Sequence, residues 1–506
     1  MRVIQERKWK IPDEGIEKVE EIKKWLLDHG GKEIEVKQSY EKWRIKYYDA
    51  IITYYESQKK RTIYITPSDY NEVLKVHDLI DTLLWSQFVI KDYLIGLDEV
   101  GKGEVIGHVF LVGVLFPKSI YSDLEKVLGV ANTKTRRKFS YWEDVFKKID
   151  YFKSRGLCFI YETIPPQDFD KYNINVIMDI AYQRILNNFV QKVSLTETRI
   201  VIDNYGIGPR LEYFLNSLKN AKAEIVVENR ADEKYLESRI ASLIGKYYQL
   251  RSLEAIKIDS KFKIEGVEIG SGNAGDKRTL QWLKKWWELN KFWPWFVKTS
   301  FKTIAKIEGK EKIKKKSIPS LNDNLLSSEF REKFYSGKLN IDSLAVNCSK
   351  CGSIMRSLKL AVINETVTAK CINCKTDIEG INSVLRYYCG RVVPDANVIL
   401  RGFLSKDLEK GRFFENFTIL ISNIVKSETD TPGGKKEWER LSKFASIGRI
   451  RLEEVSYPTG NVPQESSQRD GMIIETALKN NAILITADNS VKAFAQIKKL
   501  FVIEIL

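Results

Sequence analysis

The stretch Tyr93-Leu-Ile-Gly-Leu-Asp98-Glu99-Val-Gly101-Lys102-Gly103 leads directly into an apolar run from Val105 to Phe116. A continuous apolar strand of this length is typical of the centre of a sheet that is covered on both faces. Adjacent carboxylates beside such a strand are costly unless a partner neutralises them, and a divalent cation does so. The glycines would let a ligand approach the backbone closely. This stretch therefore predicts a metal-binding site at the end of a buried strand.

Two further carboxylates lie next to apolar segments. Asp203 ends an apolar strand, and Asp232 opens a helical run from Ala231 to Lys246. On that helix Asp232 lies on the apolar face and is expected to point inward, whereas Glu233 and Glu237 are expected to be solvated. A turn acid or a helix-start aspartate would explain each residue singly. The four acids together favour a shared metal site.

Four motifs follow one another between residues 96 and 303. They are Gly96-Leu-Asp-Glu-Val-Gly-Lys-Gly103, the helix Ala231 to Lys246, Gly270-Ser-Gly-Asn-Ala-Gly-Asp-Lys-Arg-Thr279 and Val297-Lys-Thr-Ser-Phe-Lys-Thr303. In this order they resemble the motifs of the type 2 ribonucleases H, the HII and HIII branch. The resemblance implies a ribonuclease H-like mixed sheet with helices.

The same resemblance implies a metal-dependent catalytic centre. It assigns catalysis and two divalent cations, Mg²⁺ or Mn²⁺, to Asp98, Glu99, Asp203 and Asp232, and substrate binding to Gly101, Lys102, Gly103, Ser242, Lys246 and Ser271. The two-glycine loop would read the ribose 2′-hydroxyl, which distinguishes RNA from DNA. The implied reaction cleaves the RNA strand of RNA–DNA hybrids and leaves 5′-phosphomonoesters. Lys102 and Asn273 depart from the family's commoner residues, so a preference for a single ribonucleotide or an RNA tract stays open.

The first residues of the chain carry a further resemblance. The strand pair from Trp43 to Tyr64, with a turn at Tyr54-Tyr-Glu-Ser57, is similar to the hybrid-binding N-terminal domain of the HIII branch. A dimerisation module or a purely structural one is the alternative. Five tryptophans between Trp282 and Trp295 alternate with lysines, and we favour core packing over stacking on nucleic acid for them.

Four cysteines form two Cys-x-x-Cys pairs. Cys348 and Cys351 precede Cys371 and Cys374 with nineteen residues between the pairs. This spacing is typical of a tetrahedral Zn²⁺ site, and four thiolates close the site, so the zinc would be structural. Strand-like residues between the pairs suggest a zinc ribbon. Redox-active or incidental cysteines are the alternative.

A second set of acids lies near the end of the chain. Asp395 and Asp488 each follow a short apolar strand, and the carboxyl ends of parallel strands meet at one sheet edge. Asp470 lies near the start of a predicted helix from Arg469 to Leu478, on the apolar face of that helix. Glu437 shares a face with apolar residues of another helix and is the preferred fourth acid, with Glu439 as the substitute.

These residues resemble the PIN-domain nucleases. The resemblance matches the four family acids to Asp395, Glu437, Asp470 and Asp488 and auxiliary polar positions that bind substrate to Thr486 and Asn489. It implies a parallel α/β sheet, Mg²⁺ or Mn²⁺ on the three aspartates, and endonucleolytic cleavage of single-stranded RNA. A PIN-like fold that binds without cutting is the alternative. A zinc ribbon beside a PIN domain is also similar to the archaeal endonuclease of ribosomal RNA maturation, but the order differs, so the substrate stays open.

Composition limits the possible partners. The chain has 506 residues, with 82 Lys and Arg against 67 Asp and Glu, a net charge of +15. This surplus favours a polyanion, with nucleic acid as the first candidate and an anionic membrane as the second. The two family resemblances imply RNA–DNA hybrid and RNA as the partners. The longest apolar run is shorter than the ~20 residues of a membrane span, and residues 1–10 lack the apolar core of a signal peptide. We therefore expect no membrane partner and a cytoplasmic location.

The sequence predicts an α/β multidomain chain that fuses two nucleases. Its segments are an N-terminal α+β module at 1–88, a ribonuclease HII/HIII-like domain at 90–305, a basic linker at 306–343, a zinc ribbon at 344–380 and a PIN-like domain at 388–506. One rival is an RNA-binding or processing factor in which one acid cluster is inactive. Another is a DNA-nicking nuclease with the same metal chemistry. The two-glycine loop favours the ribose reader over the DNA enzyme.

Overall fold

The computed structural model divides the chain into two compact units. One contains residues 1–94, 115–158 and 197–199, and the other contains residues 95–114, 159–196 and 200–506. The structure describes residues 4, 6–11, 15–58, 60–84, 91–129, 131, 133, 137–310, 320–338, 341–363, 366–456 and 462–505. Residues 311–319 of the predicted basic linker lie outside this range. None of the helices within the described residues is long and apolar enough to span a membrane.

The first residues form an antiparallel sheet with two helices. The elements are β1 (Arg7–Lys10), α1 (Ile16–Asp28), β2 (Lys32–Ile34), β3 (Glu41–Tyr47), β4 (Ala50–Ser57), β5 (Lys60–Ile65) and α2 (Glu72–Leu84), with the strand order β1-β5-β4-β3-β2. Aromatic and β-branched residues of the strands, such as Trp9, Trp43 and Ile63, form the core with the helices. The predicted turn at Tyr54–Ser57 is wrong, because these residues pair with β5 as the end of β4.

The next segment contains a five-stranded sheet and long helices. Its elements are β6 (Tyr93–Val100), β7 (Val109–Pro117), α3 (Tyr121–Leu128), α4 (Phe139–Tyr151), β8 (Cys158–Ile164), α5 (Pro166–Lys171), α6 (Ile174–Val190), β9 (Thr198–Asp203), α7 (Pro209–Asn220), β10 (Glu224–Glu228), α8 (Ala231–Lys234), α9 (Leu236–Ile258), α10 (Lys277–Asn290) and α11 (Lys302–Ile307). The strand order is β10-β9-β6-β7-β8. Strand β7 is buried from Val109 to Phe116, as its apolar run predicts. Trp282 and Trp286 are buried in a core cluster, so the packing interpretation of the tryptophans is confirmed for these two.

The last segment forms a seven-stranded sheet. Its elements are α12 (Ser328–Tyr335), β11 (Val346–Asn347), β12 (Ile354–Met355), β13 (Ser357–Ile363), β14 (Thr366–Lys370), α13 (Ile381–Tyr388), β15 (Arg391–Pro394), α14 (Ala396–Leu400), α15 (Phe403–Lys406), β16 (Thr418–Ser422), α16 (Asn423–Glu428), α17 (Pro432–Ser446), β17 (Arg451–Val455), α18 (Ser466–Lys479), β18 (Ile483–Thr486), α19 (Asn489–Ile497) and β19 (Val502–Ile505). The order is β14-β13-β19-β18-β15-β16-β17, and neighbours from β13 to β17 are parallel. The predicted α/β multidomain class is therefore confirmed.

Two details differ from the sequence-based predictions. Residues 320–338, inside the predicted linker, are folded, because Phe330 and Phe334 of α12 are buried. Strand β13, which lies between the two cysteine pairs, joins the C-terminal sheet by pairing with β19. The cysteine-bearing segment thus extends this sheet by two strands, since β14 pairs with β13.

Candidate active site

The ends of two neighbouring strands bring three of the predicted acids together. Asp98 and Glu99 lie near the end of β6, and Asp203 ends β9, its neighbour in the sheet. One carboxylate oxygen from each of the three lies within 4.8 Å of the others. Asp98 is 4% exposed, and the other two are half-buried. This spacing suits a cation that draws one oxygen ligand from each carboxylate.

Burial makes the ionised form of this acid set costly. Burial first, and then Glu99, raises the pKa of Asp98 well above its usual range, although a hydrogen bond with Ser242 opposes the shift. Burial is also the largest cause that raises the pKa of Glu99 to about 7, while Lys102 lowers it. The protein itself supplies too little positive charge to keep all of these crowded carboxylates ionised. A divalent cation would supply it, so these residues fit a metal centre.

The fourth predicted acid lies beside this set. Asp232 belongs to the short helix α8, whose first residue, Ala231, donates its N–H to Asp203 Oδ1 at 2.8 Å. Asp232 raises the pKa of both Asp98 and Glu99. The helix breaks after α8, so Asp232 is half-buried and does not share a continuous helical face with α9 as predicted.

One predicted surface residue on this helix is buried. Glu237, expected to be solvated, is 0% exposed on the first turn of α9. The break between α8 and α9 changes the helical phase, and a prediction based on one continuous helix placed Glu237 on the wrong face.

A buried lysine binds the backbone of the two-glycine loop, Gly101 to Gly103. Gly101 has φ +96°, and a Cβ atom there would lie 2.5 Å from the carbonyl oxygen of His108, so glycine is required. Nothing lies within 4 Å of the corresponding Cβ position of Gly103. Lys298, which is 0% exposed, donates to the carbonyl oxygens of Gly101 at 2.6 Å and Glu104 at 2.7 Å. Burial lowers the pKa of Lys298 to about 8.

Sequence reasoning assigned no role to Lys298 in this site. The residue is in the motif Val297 to Thr303, but a lysine next to a tryptophan cluster is usually a solvated or phosphate-facing cation. Only the pairing of segments almost two hundred residues apart reveals the contact with the Gly101 carbonyl.

The Gly-Ser-Gly loop docks against the same region. Gly272 accepts hydrogen bonds from the N–H groups of Val105 at 2.9 Å and Ile106 at 3.1 Å. Ser271 donates its own N–H to Asp276 Oδ2 at 2.8 Å, which fixes the loop before α10. The loop therefore supports the segment that follows the two-glycine loop.

The other predicted substrate residues have different surroundings. Ser242 is 4% exposed and hydrogen-bonds Asp98, so it contacts an acid of the set. Lys102 Nζ lies 3.3 Å from Asn175 Oδ1 and 3.4 Å from the carbonyl oxygen of Tyr205. Lys246 Nζ donates to Gln249 Oε1 at 2.8 Å, and burial lowers its pKa.

Comparison with known proteins agrees with this site. The family model of ribonuclease HII matches residues 95–304. Ribonuclease HII of Methanothermobacter thermautotrophicus is 32% identical over 226 residues, which are 42% of this chain and 98% of that protein. Ribonuclease HII of Sulfolobus acidocaldarius is 30% identical over 194 residues, 38% of this chain and 82% of that protein.

The chain belongs to the ribonuclease HII family. The relatives support ribonuclease H-type nuclease activity for it. Among solved structures, the complex of PCNA with ribonuclease HII from Archaeoglobus fulgidus is 28% identical, covers 44% of this chain and 98% of that chain, and has a TM-score of 0.34. The family match does not include residues 1–94 and 305–506.

Beyond the ribonuclease HII segment, the four cysteines form one cluster. The Sγ atoms of Cys348, Cys351, Cys371 and Cys374 lie within 4.8 Å of one another. Each pair ends in a tight turn with positive φ, at Gly352 (+71°) after the first and at Lys375 (+63°) after the second. The N–H groups of both turn residues bond back to the first cysteine of their pair. The two turns thus present four sulfur ligands, the donor set that Zn²⁺ prefers in structural sites.

The second acid set lies at the carboxyl edge of the parallel strands. Asp395 follows β15 and Asp488 follows β18, and these strands are paired. Thr486 links the two acids, because its Oγ1 donates to Asp395 Oδ2 at 2.9 Å and accepts from the N–H of Asp488 at 2.9 Å. Burial, then Asp395 and Asp488, raises the pKa of Asp470 to about 6. Asn489 is the first residue of α19, which Asp488 caps.

The structure groups a different glutamate with these aspartates. Glu428, at the end of α16, raises the pKa of both Asp395 and Asp470 and forms an ion pair with Arg469. Glu437 lies elsewhere, since its carboxylate accepts the N–H of Ser405 at 2.9 Å and the hydroxyl of Ser405 at 2.6 Å. Glu437, the predicted fourth acid with Glu439 as the substitute, therefore has Ser405 as its hydrogen-bond partner, whereas Glu428 acts electrostatically on Asp395 and Asp470.

Proposed function

We propose that this protein cleaves the RNA strand of RNA–DNA hybrids and leaves 5′-phosphomonoesters. The observation that carries the proposal is the convergence of Asp98, Glu99 and Asp203, whose oxygens lie within 4.8 Å of one another in the segment that matches ribonuclease HII. Asp232 would complete the set from α8. This arrangement needs no histidine base, which suits a chain with three histidines.

The acids would hold Mg²⁺ or Mn²⁺. Such cations, when bound, activate a water for in-line attack on the phosphate and stabilise the leaving 3′-oxygen. The carboxylates of Asp98, Glu99 and Asp203 would orient the cations, and Ser242 would hold Asp98 in place through its hydrogen bond. The burial of Asp98 would keep water away from one side of the site and strengthen the charge interactions there.

The two-glycine loop would select RNA over DNA. Gly103 has open space at its Cβ position, so a ribose can approach its backbone closely. Lys298 fixes the loop by binding the carbonyl oxygens of Gly101 and Glu104. Lys102 and Lys246 would contact phosphates of the hybrid. Ser271, in the neighbouring loop, would contact the nucleic-acid strand.

The N-terminal module would bind the hybrid through one sheet face. Trp9 and Ile63 face the core, so Lys8 and its partner Tyr64 lie on the opposite face, as does Lys10. Lysines interleaved with tyrosine suit a nucleic-acid backbone and its bases.

A metal-dependent cleavage assay tests the proposal. The full chain is incubated with Mg²⁺ or Mn²⁺ and labelled hybrid, single-stranded RNA or double-stranded DNA. Cleavage of the hybrid's RNA strand that Asp98→Asn abolishes supports the proposal. Hybrid cleavage by Asp98→Asn at the wild-type rate ends it, and cleavage of duplex DNA alone favours the DNA-nicking rival.

A second centre is proposed for single-stranded RNA. Glu428 and Asp488 act electrostatically on Asp395 and Asp470 at the edge of the parallel sheet, which supports a PIN-type endoribonuclease holding Mg²⁺ or Mn²⁺. Thr486 would position Asp395, and Asn489 would face the substrate. If single-stranded RNA is cut by wild type and by Asp98→Asn but not by Asp395→Asn, the second centre is active. If it is only bound, the C-terminal part is a binding module.

Zinc would stabilise the cysteine-bearing segment. Cys348, Cys351, Cys371 and Cys374 leave no open ligand position on a tetrahedral Zn²⁺, so the ion would take no part in catalysis. Thiolate ligands are kept reduced in the cytosol, which supports the cytoplasmic location that the sequence predicts.

A further inference from the structure

A buried tyrosine lies next to the first acid set. Tyr182, in the middle of α6, is 0% exposed, and its hydroxyl has no hydrogen-bond partner among the described residues. Leaving a buried hydroxyl unsatisfied costs about 1–3 kcal/mol. Most buried polar groups are therefore paired, and an exception calls for a reason. A phenylalanine would fill the same space in α6 without this cost.

An acid of the set has the complementary unsatisfied atom. Glu99 Oε2 is also buried and without a hydrogen-bond partner among the described residues. An ionised carboxylate can only accept hydrogen bonds, whereas a phenol can donate one. After burial, Glu99 and Asp98 are the charges that most raise the pKa of Tyr182, so the phenol lies within electrostatic range of these carboxylates.

Neighbouring polar groups are already engaged. The ring of Tyr205 lies 5.4 Å from that of Tyr182, but the Tyr205 hydroxyl donates to Asp179 Oδ1 at 2.7 Å. Lys102 Nζ is directed to Asn175 and to the Tyr205 carbonyl oxygen. Asp98 has its own hydrogen bond with Ser242. Glu99 Oε2 is thus a buried acceptor in this region that has no donor among the described residues.

We propose that Tyr182 is a positioning residue of the first acid set: when a divalent cation is bound, its hydroxyl donates to the ionised Glu99, directly or through one water, and fixes which carboxylate oxygen faces the cation. The inference rests on the proposed function of these acids as metal ligands. Tyr182 itself binds neither the cation nor the substrate. Its contribution is a hydrogen bond that forms with Glu99 in the metal-bound state and stabilises that state over the metal-free one.

The proposal separates metal affinity from folding. Partners that orient metal ligands typically contribute 10–100-fold to metal affinity. In the structure the Tyr182 hydroxyl makes no hydrogen bond, so its removal should leave the metal-free protein at least as stable as wild type. A tyrosine that served only the packing of α6 would keep the wild-type Mn²⁺ affinity after this substitution, because phenylalanine fills the same space.

The experiment measures Mn²⁺ binding to the full chain without substrate by calorimetry. Wild type, Tyr182→Phe, Tyr205→Phe and Asp98→Asn are compared, and each is also melted in EDTA and in Mn²⁺. We expect Tyr182→Phe to weaken Mn²⁺ binding by about 10–100-fold while its melting temperature in EDTA is unchanged or higher. Tyr205→Phe is the matched control, because it removes the hydroxyl of the adjacent ring, which bonds Asp179 and not the acid set. It should keep the wild-type Mn²⁺ affinity.

The outcomes separate the two proposals. Wild-type Mn²⁺ affinity in Tyr182→Phe, with weakened binding in Asp98→Asn, overturns the role of Tyr182 and leaves the metal centre intact. Equal Mn²⁺ binding by wild type and Asp98→Asn overturns the metal centre itself. A loss of affinity in Tyr205→Phe equal to that in Tyr182→Phe would also overturn the specific pairing with Glu99.

Discussion

Arg451 and Glu162 form a buried ion pair between β17 and β8, with Arg451 Nη2 at 2.6 Å from Glu162 Oε2. The side chains are 6% and 11% exposed. The same glutamate oxygen lies 2.6 Å from Arg184 Nη2, and Arg451 Nε donates to Thr418 Oγ1 at 2.8 Å. One carboxylate of the ribonuclease HII segment is therefore shared by two arginines, one of them from the C-terminal sheet.

Replacing Arg451 should destabilise the second unit. Breaking a buried ion pair by removing one partner typically costs about 3–5 kcal/mol, because the other charge stays buried. Arg184 compensates part of this for Glu162, so we expect Arg451→Met to lose about 2–4 kcal/mol in urea unfolding. The control is Arg391→Met, whose pair with Glu453 is partly exposed and is expected to contribute less than about 1 kcal/mol. Equal losses in the two variants would contradict the coupling.

Metal binding by the first acid set should depend on pH. The pKa of Glu99 is raised to about 7, so in metal-free protein this group favours folding below its unfolded pKa and the contribution is lost as pH rises through about 7. A cation needs the ionised form. We therefore expect Mn²⁺ affinity to rise between about pH 5.5 and pH 7 and to level off above, with proton release on binding.

The measurement is Mn²⁺ titration in two buffers of different ionisation heat. Glu99→Gln should flatten the rise below pH 7, while retaining weaker binding through the other acids. An affinity for Mn²⁺ that is constant across this range in wild type would show that Glu99 is already ionised in the metal-free protein.

Lys298 should matter for the two-glycine loop. Lys298→Met leaves the buried carbonyl oxygens of Gly101 and Glu104 without their donor, at a cost of about 1–3 kcal/mol. A loosened loop should raise KM for hybrid more than it lowers kcat. The control Lys285→Met, on the exposed face of α10, should stay within about 0.5 kcal/mol of wild type. Unchanged KM in Lys298→Met would exclude a role for the lysine in holding the loop.

Much of the first acid set could be predicted from local sequence patterns. Acids that follow apolar strands meet when those strands are neighbours, and β6 and β9 are neighbours, so Asp98, Glu99 and Asp203 converge. Lys298 could not be found in this way, because its partners lie far away in the chain and its own neighbours are aromatic and cationic. The same holds for the parallel pairing of β13 with β19, which no local periodicity specifies.

The second site shows where helical periodicity misleads. Helix α17 has fifteen residues and an evident apolar face, so Glu437 stood out as an inward acid. Helix α16 has six residues, too few for a period of 3.6 to be recognised, and Glu428 ends it. Glu437 is indeed buried, but its carboxylate accepts a hydrogen bond from the Ser405 hydroxyl. Burial of an acid was predictable from the sequence, whereas its partner was not.

Two glutamate variants distinguish these roles. Glu428→Gln should reduce cleavage of single-stranded RNA by more than about tenfold, because Glu428 acts on Asp395 and Asp470. Glu437→Gln should lower stability by about 1–3 kcal/mol through weaker bonds with Ser405, with little change in the rate per folded molecule. Rates on RNA and urea unfolding are measured for both. The reverse pattern would restore Glu437 as the functional acid.

Removing zinc should loosen the cysteine-bearing strands and leave the centre of the C-terminal sheet intact. Four thiolates hold the turns after Cys348 and Cys371, while β15 and β16 are paired on both sides by other strands. We expect one Zn²⁺ per chain by elemental analysis and almost none in Cys351→Ser. Hydrogen exchange should then accelerate in β11, β12 and β14, because structural zinc sites supply folding energy directly. Cys158→Ser, outside the cluster, should keep the zinc. Unchanged exchange in those strands after zinc loss would show that pairing of β13 with β19 alone maintains them.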